Sequence, residues 1–147
     1  MYTMTEVELT DPALLALFDR LSQVLGRDKG DDLSELSTLK DELVVATLAW
    51  HDGKPVGCGL LRKDDPKRVE LKRLYSIQPG VGKAVLHYLE QTATKQGFES
   101  LVVAIRIINS KTINYFLERG FKKIPSFGKY RYSSQMLCLE KPIAGAD

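Results

Sequence analysis

The residues of this chain best placed to do chemistry meet at one corner. In residues 70–90, ELKRLYSIQPGVGKAVLHYLE, an extended run passes through Gln78, Gly80 and Gly82 into a stretch whose apolar residues, Val81, Val85, Leu89 and Ala93, recur at helical spacing. A helix opening on glycines leaves backbone N–H groups unpaired. Together with the positive end of the helix dipole these form an anion site, most often for a phosphate. Lys83 adds a cation near the helix start. A phosphorylated cofactor is the expected ligand, and spacing narrows the choice. A nucleoside-triphosphate loop, GxxxxGK followed by Ser or Thr, would need a glycine at Ile77 and a hydroxyl at Ala84. A dinucleotide fingerprint would put its third small residue at Val85 and an acid at Asn109. Both readings fail.

Other residue types exclude further chemistry. Cys58 and Cys138 sit in apolar runs with no CxxC spacing and no suitable His neighbours, so they read as buried thiols and no metal site is expected. His51 beside a turn and His87 on a helix have no catalytic neighbour and read as structural. A net charge of +2 over 147 residues does not mark a nucleic-acid or membrane binder. The basic cluster Arg62, Lys63, Lys67, Arg68, Lys72 and Arg73 is interrupted by Asp64 and Asp65 and lacks stacking aromatics, which fits a solvated hairpin. No run approaches the roughly 20 apolar residues of a membrane span, and the first residues show no signal core. A soluble, cytoplasmic chain is expected.

The elements that must position the corner can be read along the chain as one domain, 1–147. Residues 6–9 suggest a strand. Thr10 or Asp11 caps a helix with Pro12 in its first turn and Leu14, Leu17, Phe18, Leu21 and Leu25 on one face. Residues 26–32 read as a loop and 33–42 as a second helix. Strands over 43–50, 56–61 and 69–77 form a meander, turned by Asp52-Gly53 and by Asp64-Asp65-Pro66. After the corner helix, which stops near Gly97, residues 101–108 (LVVAIRII) suggest a strand covered by helices on both faces, parallel to its predecessor. A short helix over 112–119, capped by Asn109 and Ser110, precedes strands over 121–124 and 133–140. The fold class is α/β with a mixed sheet.

Leu74, Tyr75 and Ser76 end the strand before the corner, Gly80 and Gly82 form a glycine pair, and Asn109 opens a short helix ending at Gly120-Phe121. IPSFGKY at 124–130 then precedes MLCLEKP at Met136–Pro142. With the element order, these features resemble the GNAT superfamily of acetyl-CoA-dependent N-acetyltransferases, in particular a bacterial small-molecule branch. The resemblance covers almost the whole chain. It implies a mostly antiparallel sheet with one splayed parallel strand pair, helices on both faces, and acetyl-CoA as cofactor. The implied cofactor-binding positions are Leu74, Tyr75, Ser76, Gln78, Gly80, Val81, Gly82, Lys83, Asn109 and Phe116. The strand-to-glycine loop is shorter than the family's usual one. Ile77 falls at its Gln or Arg position, with Gln78 as the substitute.

Acetyl transfer to an amine needs the amine deprotonated, since an ammonium with a pKa near roughly 10.4 has no lone pair. By resemblance Glu70 is the base, acting directly or through a water; the alternative is a solvated strand glutamate paired with Lys72 or Arg73. Backbone amides near Leu74 to Ser76 are the implied oxyanion donors. The family's tyrosine acid falls on Phe116. Tyr115 lies one helical step, about 100°, away and towards a different face. Tyr115 is thus a candidate acid or a packing residue, and Tyr130, Tyr132 and Tyr75 are other hydroxyl sources. Asn109 is a pantetheine partner or a plain helix cap. Arg106, a lone charge in an apolar strand, needs an acidic substrate group, Glu70, Glu118 or an opening. The expected partner is a small-molecule amine, and a homodimer through exposed strand edges is compatible with the pattern. The short loop and Phe116 also fit a catalytically silent acyl-CoA-binding or regulatory domain of the same fold.

Overall fold

A computed structural model describes residues 2–26 and 39–143. Of the second helix expected over 33–42, residues 33–38 lie outside the described residues, as does most of the loop before it, and at 40–42 the chain is a turn rather than a helix. Among those described, seven strands form one sheet in the order β1-β2-β3-β4-β5-β7-β6. β1 (Thr3–Val7), β2 (Leu43–His51), β3 (Lys54–Asp65) and β4 (Arg68–Ser76) are antiparallel neighbours. The β2–β3 turn is tight because Asp52 and Gly53 both take left-handed backbone, φ 51° and 75°, as a primed hairpin turn requires.

Helix α1 (Pro12–Leu25) starts where Asp11 accepts hydrogen bonds from the N–H groups of Ala13 and Leu14, and it ends at left-handed Gly26. Its face of Leu14, Leu17 and Phe18 packs on Leu48, Cys58 and Leu60 of the sheet. Helix α2 (Val81–Lys95) covers the opposite face, where Val81, Val85, Leu89 and Ala93 meet Val69, Leu71 and Leu101. Gly57 and Gly59 permit this approach. A Cβ on Gly57 would collide with Val81, and one on Gly59 would lie 3.0 Å from Leu89 Cδ1. These contacts seat the start of α2, and with it the glycine corner, on β3.

β5 (Ser100–Arg106) runs parallel to β4, but only Arg68, Val69 and Glu70 pair with Ser100, Leu101 and Val102. Beyond Glu70 the strands part. β4 carries an extra residue there: Cys58 faces Tyr75 while Leu60 faces Lys72, and Arg73 takes the left-handed φ of 57°. Such a bulge bends its strand and ends regular pairing.

β5 differs from its expected form in length and cover. It stops at Arg106, leaving Ile107 and Ile108 exposed. Leu101, Val103 and Ile105 face the helices, whereas Val102 and Ala104 are covered by Ile124, Phe127 and Tyr130 from the β6–β7 region. β6 (Lys122–Ile124) forms the edge, and β7 (Met136–Pro142) lies between it and β5, starting three residues later than the expected 133. Helix α3 (Ser110–Leu117) joins β5 to β6. Its Phe116 packs edge-on to Phe121, with ring centroids 5.0 Å apart.

Candidate active site

Two groups of side chains flank the fork between β4 and β5. The first is the glycine corner. Gly80 caps α2 in the left-handed region, φ 85°, with no side-chain cap and no acidic residue in the first turn. The N–H of Val81 bonds Gln78 O at 3.4 Å and that of Ala84 bonds Gly80 O at 3.3 Å. The N–H groups of Gly82 and Lys83 occupy first-turn positions, where an α-helix provides no acceptor. Lys83 is exposed beside them, and Gln78 is half-buried in the loop. Tyr2, which no sequence pattern links to this corner, donates from its hydroxyl to Pro79 O at 3.3 Å and so ties the corner to the chain's first strand.

A Cβ on Gly82 would lie 3.3 Å from the Tyr115 hydroxyl and 3.5 Å from Ser76 Oγ. The glycine therefore keeps open a space bounded by two hydroxyls. The Tyr115 hydroxyl is buried and finds no well-formed hydrogen bond. The Arg119 guanidinium carbon lies over the ring, 3.5 Å from its centroid, and Nη1 donates to the Tyr115 carbonyl at 2.8 Å. Burial pushes the Tyr115 phenol above its ordinary value, with Arg119 offsetting part of the rise. Although Tyr115 is one helical step from the family's tyrosine position, its hydroxyl comes to the corner, while Phe116 is turned into the core. Uncapped amides, a cradle that a Cβ would fill and an orphaned hydroxyl fit the phosphates of a ligand. Asn109 accepts from Thr112 N at 3.4 Å, which is helix capping, and its side chain is half-buried near the fork. Leu74 packs towards α2 and Tyr75 towards α1, and Val81 turns its side chain into the core. Val81 is fully buried and offers a ligand at this corner only its backbone, whereas Leu74 and Tyr75 are half-buried.

The second group centres on Glu70, whose exposure of 2% rules out a solvated strand glutamate. Arg62 Nη1 donates to Oε1 at 2.7 Å, and the Tyr130 hydroxyl donates to Oε2 at 2.8 Å. Lys72 Nζ donates to the Tyr130 hydroxyl at 3.2 Å and lies 3.8 Å from Glu70 Oε2. The second Arg62 nitrogen pairs with Glu42. Burial pulls the Arg62 guanidinium down, but the hydrogen bonds and charges of Glu70 and Glu42 outweigh it and leave Arg62 raised. Of the two partners expected for Glu70, Lys72 is near, whereas Arg73 lies over the Phe18 ring of α1 at 5.1 Å. With both carboxylate oxygens engaged, half-buried Tyr130 is the outermost member of the chain Glu70–Tyr130. Tyr132 is 94% exposed and takes no part. Among the described residues, no cluster of His, Cys, Asp or Glu could hold a metal, and no helix is long and apolar enough to cross a membrane.

The profile of the Acetyltransferase (GNAT) family matches residues 12–121. This chain belongs to that family. A relative in Mycobacterium tuberculosis H37Rv, an uncharacterised N-acetyltransferase, is 28% identical over 88 residues, covering 57% of this chain and 56% of the relative. The chain thus spans little more than half the length of that relative. An acyl-CoA N-acyltransferase candidate from Klebsiella pneumoniae superposes with a TM-score of 0.79 at 24% identity, covering 97% of this chain and 98% of the other. A GNAT acetyltransferase from Elizabethkingia anophelis with acetyl-CoA bound gives 0.74 at 17% identity, covering 96% and 97%. At such identities the likeness to the solved structures is one of fold. The mixed sheet with one parallel pair is the GNAT architecture.

Proposed function

We propose that this chain moves the acetyl group of acetyl-CoA onto the amine of a small molecule. The observation that carries the reading is the buried, unpartnered Tyr115 hydroxyl facing Ser76 and Gly82 at an uncapped helix start. The Gly82 and Lys83 amides, with the Lys83 ammonium, hold the phosphates. Backbone groups of Leu74, Tyr75 and Ser76, after the bulge, and the Asn109 side chain line the fork. Acetyl-CoA, when bound, supplies a thioester carbonyl carbon open to attack. The substrate arrives as an ammonium, and Tyr130 accepts one of its protons as its own passes to Glu70 Oε2, a contact already 2.8 Å long. The neutral amine's lone pair forms the new N–C bond as the carbonyl π pair moves to oxygen; when that pair returns, the C–S bond would break with its electrons going to sulfur, and the second nitrogen proton would reach sulfur through water. Tyr115, beside the phosphate-holding Gly82, donates to a phosphate oxygen. An amide and a thiol result, and Glu70 returns its proton to water.

A thiol-release assay over a panel of amines tests this. Wild type should release thiol with at least one amine, and Glu70→Gln and Tyr130→Phe should each lower kcat by roughly 10²-fold. Undiminished release in both variants would remove Glu70 and Tyr130 from the proton path. The engagement of both Glu70 oxygens favours a second reading, an acyl-CoA-binding domain without turnover. That reading predicts acetyl-CoA binding and no thiol release with any amine.

A further inference from the structure

Side chains alternate along the first strand, so Tyr2, Met4 and Glu6 share one face. Tyr2 and Met4 pack on the core cluster that holds Val81 and Val85 of α2. Further along, burial and then the Glu6 carboxylate raise the Tyr88 phenol, so Glu6 lies beside that helix too. The strand thus follows α2 from its start, and the Tyr2 hydroxyl reaches the corner itself. Because β1 is an edge strand, paired with β2 on one side, these contacts with α2 are its second attachment.

The loop from β4 to α2, residues 77–80, is fastened from outside at two points. The Ile77 N–H donates to Val56 O of β3 at 2.9 Å, and the Tyr2 hydroxyl donates to Pro79 O at 3.3 Å. Inside the loop the Val81 N–H bonds Gln78 O at 3.4 Å, a long contact that holds the backbone weakly. Pro79 O belongs to the same peptide group as the Gly80 N–H. That group is trans and planar, so its carbonyl and N–H point to opposite sides, and a donor on the one fixes the aim of the other. Gly80 is left-handed, φ 85° and ψ −17°, and Val81 begins the right-handed helix. Such a pair forms a nest, in which successive N–H groups, here those of Gly80, Val81 and Gly82, line one concavity suited to an anion.

We infer, on the acetyltransferase reading above, that Tyr2 is a positioning residue for the cofactor: by holding Pro79 O it keeps the Gly80 N–H turned into the nest, where the phosphates of acetyl-CoA accept from it. The first strand then tunes cofactor affinity, while transfer at Glu70 and Tyr130 proceeds without it. Once the hydroxyl is lost, the peptide turns more freely, and ordering its N–H becomes a cost of binding.

The test measures Kd for acetyl-CoA and for CoA by calorimetry in wild type, Tyr2→Phe and Thr5→Val, with thiol-release kinetics beside it. Tyr2→Phe removes the hydroxyl and keeps the ring, which lies edge-on to His51 with centroids 5.4 Å apart. Thr5→Val is the control on the same strand. Its hydroxyl accepts from Trp50 Nε1 at 2.8 Å on the opposite face, so its loss loosens β1 without touching the corner. In Tyr2→Phe, Kd for both ligands should rise roughly 2- to 10-fold, the range for one neutral hydrogen bond, with kcat at saturating cofactor unchanged. Thr5→Val should lower the urea midpoint and leave Kd as in wild type. Wild-type affinity in Tyr2→Phe would overturn the inference and leave the acetyltransferase reading standing. An equal rise in Thr5→Val would also overturn it, because the effect would then be a general loosening of the strand. Wild type that binds neither ligand would sink the acetyltransferase reading and the role of Tyr2 together.

Discussion

Replacing Tyr115 by Phe should move stability and activity in opposite directions. The hydroxyl is buried without a well-formed hydrogen bond, so the folded chain bears its desolvation cost with nothing in return. Removing one such oxygen is worth about 1–3 kcal/mol. The ring's contacts survive in Phe, including the Arg119 guanidinium 3.5 Å above it. For a chain of this size each kcal/mol moves Tm by roughly 2–4 °C, so thermal unfolding of Tyr115→Phe should occur about 2–12 °C higher. Activity at low cofactor should fall. A hydrogen bond to a charged phosphate is worth about 1.5–3 kcal/mol, so KM for acetyl-CoA should rise roughly 10- to 100-fold with kcat little changed. Burial raises the Tyr115 phenol, so the proton stays on it below about pH 10 and wild type should show no tyrosine-ionisation limb in that range. Calorimetric melting and thiol-release kinetics against pH check these points. A variant that melts lower with its KM for acetyl-CoA unchanged would make the hydroxyl a structural partner and not a cofactor contact.

Two further outcomes follow from burial. Arg62→Met strands Glu70, which is 2% exposed, so urea unfolding should show a loss of about 3 kcal/mol, the low end for a broken buried pair because Arg62 keeps some solvent contact. Loss of Glu70 geometry should lower turnover in the same variant. Burial also pushes the Cys58 thiol up to about 12, so it stays protonated and unreactive well above neutral pH. An aromatic disulfide reagent at about pH 8 should label neither Cys58 nor Cys138, both buried, until urea is added. Labelling of the native protein would show that the sheet opens locally.

Much of the fold was legible because its signals are local. Asp11 before Pro12, Asp52-Gly53 and Gly80 dictate their own turns and caps, and a strand, helix, strand order leaves little choice but a parallel β4–β5 pair. The Arg62–Glu70 pair was hidden by register. Counting back from Asp65 opposite Arg68 would set Arg62 against Leu71, but a shift between Lys63 and Asp65 brings it to Glu70. Arg73 in the left-handed region carries no residue-type signal, since nothing local distinguishes it from an ordinary strand arginine. For Tyr115, helical phase fixes the angle from Phe116 but not where α3 sits against α2, which only long-range packing decides. The Tyr130–Glu70 bond spans 60 residues and has no periodic signature at all. The apolar run of β5 likewise states that both faces are covered without stating that a loop covers one of them.

If the corner of Gly80, Gly82 and Lys83 holds acetyl-CoA, calorimetric titration with that cofactor at moderate salt will detect it. Saturable one-to-one binding well below about millimolar cofactor is expected, and it should weaken in Gly80→Ala, where an L-residue at φ 85° costs about 1–2 kcal/mol of backbone strain at the corner. No heat with wild type at about millimolar acetyl-CoA would mean that the corner is not a cofactor site.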